Sequence, residues 1–186
     1  MLYILFAAAA AALDQLFKRW IVNNIPLGGT RALIPRVVEL TCVRNTGASF
    51  SMFSDMRWML LGISAVCIVG LIVFLLRTKM ESAVGKLAAA AVMGGAIGNA
   101  IDRAVQGYVV DMFRPLFIDF AVFNIADCFI VVGGILFCIC YLAESSVREK
   151  DTLHTAVKRP RGKMPELSRL AKKRGSADGG EADEEN

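Results

Sequence analysis

Between Trp58 and Leu76 the chain runs for 19 residues without a charged side chain. A helix rises 1.5 Å per residue, so this run is long enough to cross the roughly 30 Å hydrocarbon layer of a bilayer. Backbone polar groups find no water in that layer, which leaves a helix as the conformation such an isolated segment can adopt. Trp58 marks one interface, and Arg77 and Lys79 close the other. The whole chain is 55% hydrophobic and its mean hydropathy is +0.52, too apolar for an ordinary soluble domain.

Three other stretches have the length of a span but carry polar residues. In residues 3–22, six consecutive alanines (Ala7 to Ala12) imitate a signal-peptide core. Lys18 and Arg19 follow that core instead of preceding it, and Asp14 interrupts it, so a retained transmembrane helix is expected. Asp14 and Lys18 stand four apart and share a helix face, where they can pair. Residues 87–103 are crowded with alanine and glycine, which let helices approach closely in lipid. Residues 120–143 carry Asn124 and Asp127 near their start. Between the first two spans, Pro26, Gly28, Gly29 and Pro35 break the pattern, and Val37 to Val43 is rich in β-branched residues. The expected fold is an all-α membrane protein of four transmembrane helices, with a small extramembrane β-cradle over about residues 23–53. Residues 1–146 form this domain. Residues 147–186, basic first and acidic last, read as a polar, disordered cytoplasmic tail. One short basic helix at Pro165 to Arg174, touching anionic lipid, is the alternative reading of part of that tail.

Composition narrows the chemistry. A net charge of +4, without aromatics interleaved in a basic stripe, gives no reason to expect nucleic acid. Five cysteines, four of them in apolar runs and none in a CxxC pair, suggest neither a disulfide framework nor a zinc site. The single histidine, His154, lies in the tail, which removes histidine-dependent triads and HExxH metal sites. No glycine-rich phosphate loop is present, and neither metal nor cofactor is expected.

An even number of spans puts both termini on one side. Arg77, Lys79 and Lys86 in the short loop, and Arg148, Lys150, Lys158 and Arg159 after the last span, mark that side as cytoplasmic. Arg31, Arg36, Arg44 and Arg57 oppose this bias. With that orientation every embedded polar group falls near the outer interface. Asp14 and Lys18 occupy the outer half of the first span, Asn99, Asp102 and Arg103 the outer end of the third, and Asn124 and Asp127 the first turns of the fourth. Asn45 and Asp111 lie on outer connections. Ionisable groups are expensive in hydrocarbon, so a cluster at one depth points to a functional site.

Within the cluster, Asn99, Asp102 and Arg103 share a helix face, and Asp102 is expected to pair with adjacent Arg103 as an orienting group. Asp111 and Asp127 have no adjacent cation in sequence. Two carboxylates meeting in a low-dielectric site share a proton, which supplies one general base and one general acid to set water on an amide. An aspartyl hydrolase is the chemistry this inventory supports best. A buried polar network that only holds helices together, an ion- or proton-coupled transporter and a non-catalytic scaffold are the other readings, although four short spans without a repeat weigh against a transporter.

Five separated motifs carry a resemblance. They are Asp14-Gln15 with Lys18, Asn45 to Phe50 (NTGASF), Gly94 to Arg103 (GGAIGNAIDR), Gly107 to Asp111 (GYVVD) and Phe123 to Asp127 (FNIAD). Together they resemble lipoprotein signal peptidase (signal peptidase II). The resemblance implies a monomeric membrane aspartyl endopeptidase that cuts prolipoproteins just before a diacylglyceryl-modified cysteine. Lipids would surround it and globomycin-type peptide antibiotics would inhibit it. It puts the catalytic dyad on Asp111 and Asp127. Asn45, Asn99, Arg103 and Asn124 would line the site with Gly47 and Phe50, supported by Asp14, Lys18 and Asp102. Phe17, where the family often has Ser or Thr, and Cys128, where Ser is common, are the small departures. The tail after Val147 lies outside the resemblance.

Overall fold

A computed structural model of the chain describes residues 2–47, 52–53, 55–77 and 80–158, with side chains up to residue 150. The elements run α1 (Leu2–Asn24), β1 (Thr30–Ile34), β2 (Val38–Asn45), α2 (Arg57–Arg77), α3 (Ala83–Val105), β3 (Val109–Pro115) and α4 (Ile125–Lys158). Phe50, with Ala48 and Ser49 of its motif, lies outside the described residues, as do Lys79, Arg159 and the rest of the tail. The chain divides into two units, Met1–Ser146 and Val147–Asn186.

Three helices among the described residues are long and apolar enough to cross a membrane: α2, α3 and the Ile125–Lys150 part of α4. α1 has the length, but Asp14, Lys18 and Arg19 interrupt its apolar sequence. Asp14 and Lys18 turn inward and are buried, whereas Leu2, Ile4, Leu5, Leu13 and Leu16 face outward. Outward apolar and inward polar is the arrangement expected of a helix that packs in lipid around a polar site.

α3 is the axis of the helical part. Its alanines and glycines are largely buried, and a Cβ at Gly94 would lie 2.6 Å from the Ala7 carbonyl oxygen of α1. Ala7, Ala90 and Met93 form a small core, against which Tyr3, Ile68, Leu71 and Ile97 pack from α1, α2 and α3. A second core joins the end of α1 to the sheet: Ile21, Ile25, Leu40, Cys42, Val110 and Met112 are buried together, with Phe17, Tyr108 and Phe113 against them. Phe17 stacks on Phe113 at 5.9 Å between ring centres and on Trp20 at 5.7 Å. The aromatic ring in place of a small hydroxyl residue thus ties α1 to β3.

The sheet has three antiparallel strands in the order β1-β2-β3. The sequence reading places Asp111 on a connection and names no strand there. β3 forms because Val109 to Asp111 align with Asn45 to Val43, and Phe113 to Pro115 with Leu40 to Val38, across a bulge. Phe123 then bridges Phe113, with N–H···O bonds of 2.8 and 3.1 Å.

Three boundaries differ from the sequence reading. α3 begins at Ala83 and not at 87, because the Ser82 hydroxyl caps it by accepting from the Gly85 N–H at 3.1 Å. The fourth helix starts at Ile125 and not at 120, because Asn124 takes the capping position. Its side-chain oxygen accepts from the Asp127 N–H at 2.9 Å, and the Asp127 carboxylate accepts from the Asn124 N–H at 3.0 Å. This reciprocal pair is a capping box with the acidic residue at the third helical position. α4 also continues to Lys158, past the residue where a disordered tail was expected to begin. Val147 to Lys158 supplies Arg, Glu, Lys and Leu, which are good helix formers, and no Pro or Gly.

Candidate active site

One hydrogen-bonded chain connects the polar residues of α1, α3, β2, β3 and α4. It starts at Lys18, which is 3% exposed. Its ammonium lies 2.8 Å from Asp14 Oδ2, 2.8 Å from Asp102 Oδ2 and 2.9 Å from Asn99 Oδ1. Three acceptors match the three protons of an ammonium group. Asp102 therefore takes its cation from α1 and not from its neighbour Arg103, correcting the pairing expected from sequence. It also accepts from Gln15 Nε2 at 2.8 Å and from the Val110 N–H at 3.3 Å. Gln15 belongs to the Asp14-Gln15 motif, but sequence reasoning assigned it no role. Its position beside Asp14 in an apolar run was the available signal.

Asp14 supports the site from the other side. Its Oδ1 accepts from the Ala126 N–H at 2.9 Å, in the first turn of α4. A carboxylate is favoured there by the unpaired N–H groups and the helix dipole. A Cβ on Gly98 would lie 2.5 Å from Asp14 Oδ2, so glycine is what lets α3 approach this carboxylate. Gly98→Ala is expected to lower stability by about 1–3 kcal/mol, the usual penalty of overpacking. Thermal unfolding in detergent checks this, and an unchanged midpoint contradicts it.

The chain continues from Asn99, whose Nδ2 donates to Asp127 Oδ1 at 2.9 Å. Asp127 Oδ2 is held by the Asn124 N–H. Asn124 Nδ2 in turn donates to Asp111 Oδ1 at 2.6 Å, and Asn45 Nδ2 donates to Asp111 Oδ2 at 2.9 Å. Asn124 thus touches both Asp111 and Asp127, one through its side chain and the other through its backbone. Asn45 Oδ1 accepts from the Gly47 N–H at 2.9 Å, and the Gly47 carbonyl accepts from Arg103 at 3.0 Å. Arg103 Nε is buried without a hydrogen-bond partner among the described residues.

Asp111 lies outside the helices and is 3% exposed. Burial lifts its carboxyl to about 6, against the pull of hydrogen bonds from Asn124 and Asn45 that favour the ionised form. The charge of Asp127 pushes in the same direction as burial. A cleft of about 370 Å³ opens onto Asp111, lined by Val43, Arg44 and Asn45 of β2 and by Asp119, Phe120, Ala121 and Val122. Among the described residues no group of three or more His, Cys, Asp or Glu side chains is arranged to hold a metal ion.

Of the residues expected at the site, Asp14, Lys18, Asn45, Gly47, Asn99, Asp102, Arg103, Asp111, Asn124 and Asp127 are all brought into one network. The family model described as "Signal peptidase (SPase) II" matches residues 6–143. The chain belongs to the signal peptidase II family. It is 42% identical over 144 residues to lipoprotein signal peptidases of Streptococcus pyogenes serotypes M6 and M5, covering 77% of this chain and 94% of each relative. It is also similar to a bacterial membrane enzyme solved by the in meso method at 2.3 Å, with a TM-score of 0.72 and 28% identity over 87% of this chain and 94% of that one. A second bacterial membrane enzyme, solved by the same method at 1.9 Å, gives 0.69 and 31% over 75% and 92%. Signal peptidase II enzymes are membrane proteases of lipoprotein processing, and this chain shares their fold and its apolar helices.

Proposed function

We propose that this signal peptidase II is an aspartic endopeptidase in which Asp111 and Asp127 activate water, and that it cuts prolipoproteins just before the diacylglyceryl-modified cysteine. The observation that carries the reading is Asn124, which hydrogen-bonds both carboxylates and so holds them as one unit. Two acids in one desolvated site share a proton. Asp111, lifted to about 6, is the acid. Asp127, with an amide donor on each oxygen, is the base. Asp127 takes a proton from water as the water oxygen bonds to the scissile carbonyl carbon. Asp111 gives its proton to the carbonyl oxygen. Collapse of the tetrahedral intermediate breaks the C–N bond, the leaving amine takes the proton held by Asp127, and a hydroxyl of the intermediate returns its proton to Asp111 as the new carboxyl group forms.

α1 is the fourth span in this reading, its charges hidden against α3. Both termini are cytoplasmic, and the sheet lies on the extracytoplasmic side. The substrate's acyl chains then run along apolar helix faces, while its scissile bond sits at headgroup depth beside the two acids. Asn45, Asn99 and Asn124 orient the acids, and Lys18, Asp14 and Asp102 hold α1, α3 and α4 around them. The enzyme acts as a monomer on prolipoproteins in the bacterial cytoplasmic membrane and is inhibited by globomycin-type peptides.

Incubation with a diacylglyceryl-modified prolipoprotein, followed by mass analysis of the products, tests this function. One new N-terminus at the modified cysteine is expected, and a cut elsewhere contradicts the proposal. The pH profile tests the assignment of the acid. kcat/KM reports the free enzyme, so it should fall as pH rises through about 6, where the pair loses its shared proton. Asn45→Ala removes a hydrogen bond that favours the ionised Asp111. Its basic limb should therefore move to higher pH, and a limb that stays or moves down contradicts the assignment.

A further inference from the structure

The cleft shares Asp111 and Asn45 with the hydrogen-bonded network, and that network does not use the other residues that line it. Three consecutive residues of β2 form one wall, and the extended segment Asp119 to Val122 forms another. At about 370 Å³ it is within the size range of pockets that enclose a compact ligand. Its rim carries opposite charges. Arg44 is exposed, with its guanidinium 5.0 Å from the Tyr108 ring centre, and Asp119 is exposed on the facing segment. The ring face attracts the guanidinium but does not neutralise its positive charge.

Resting on the proposed cleavage reaction, we infer that this cleft binds the first residues of the mature lipoprotein, those following the modified cysteine, and that Arg44 and Asp119 select their charge. Three parts of the substrate leave the scissile bond. The signal sequence and the acyl chains are apolar and belong against helices and lipid. Only the mature chain is polar and must leave toward water, and the cleft is the polar-rimmed space adjoining Asp111 on the side of the sheet. Val43 on one wall and Phe120, Ala121 and Val122 on the other offer a peptide an apolar surface on both sides. Arg44 favours an acidic residue there and Asp119 a basic one.

The test uses the full-length enzyme in lipid and a set of diacylglyceryl-modified precursors with one signal sequence. They differ only in whether the two residues after the cysteine are acidic, neutral or basic. The measured quantity is the ratio of kcat/KM for acidic over basic precursors. Exposed ionic contacts are worth about 0.2–1 kcal/mol, so Arg44→Glu should lower the ratio roughly two- to fivefold and Asp119→Arg should raise it by a similar factor. Opposite shifts cannot arise from general damage to the fold. The same charge changes made in the signal sequence should leave the ratio unmoved. If both variants retain the parent's ratio, or both shift it in one direction, the cleft does not read the mature chain. If the parent cuts none of the modified precursors, or cuts away from the cysteine, the cleavage reading falls and this inference falls with it.

Discussion

Asp111→Asn and Asp127→Asn are each expected to reduce prolipoprotein cleavage by about 10³-fold or more while leaving the protein folded. General acid–base groups contribute about 10²–10⁴-fold, and groups that act as a unit lose nearly everything when either is removed. The asparagine side chain has the size of aspartate but cannot exchange a proton. Each carboxylate has an amide donor on both oxygens: Asn45 and Asn124 for Asp111, Asn99 and Asn124 for Asp127. An asparagine at either position turns one acceptor into a donor facing a donor. That mismatch lowers stability by about 1–3 kcal/mol, which a thermal unfolding curve separates from the far larger loss of activity. Substantial turnover in either variant contradicts the dyad. Asp102→Asn is the control, since that residue bonds to Lys18, Gln15 and Val110 and to neither proposed catalytic acid. It should lose stability first and activity only in part.

The second large effect is expected at Lys18. Lys18→Met keeps much of the stem volume but removes the ammonium shared by Asp14, Asp102 and Asn99. Two carboxylates then remain buried without their cation, Asp14 being 0% and Asp102 4% exposed. Removing one partner of a buried ion pair destabilises by about 3–5 kcal/mol. Asn99 also loses the contact that fixes its side-chain oxygen, so its amide no longer orients Asp127. Both the unfolding midpoint and kcat should therefore drop. Lys18→Met combined with Asp14→Asn should be less damaging than the sum of the two single changes, because the second relieves a stranded charge. A Lys18→Met protein within about 1 kcal/mol of the parent contradicts the role given to this network.

The grouping of the polar residues was legible in part. The expected order of spans gathers Asp14, Asn99, Asp102, Asn124 and Asp127 at one end of the helices, the spacing of Asn99 and Asp102 puts both on one face, and hydrogen bonds join all five in the structure. Partner choice was not legible. Asp102 stands beside Arg103 in sequence, yet a side chain at the next position on a helix points elsewhere, and Lys18 arrives from another helix 84 positions away. β3 was missed for a related reason. Val109 to Pro115 holds an aspartate, an arginine and a proline, and it becomes a strand only through pairing with β2, which lies more than 60 residues earlier. The start of α4 was readable in principle, since Asn124 and Asp127 have the spacing of a capping box. The sequence reading puts both inside a longer span as candidate site residues, and the hydrogen bonds that start the helix are also ones that hold the proposed base.

The most direct measurement compares two precursors of one sequence in the same membrane, one carrying diacylglyceryl on its cysteine and one unmodified, each followed to its cleavage products. The account predicts that the modified precursor is cut once, before the cysteine, and that the unmodified one is left essentially intact. Equal cutting of both would contradict it.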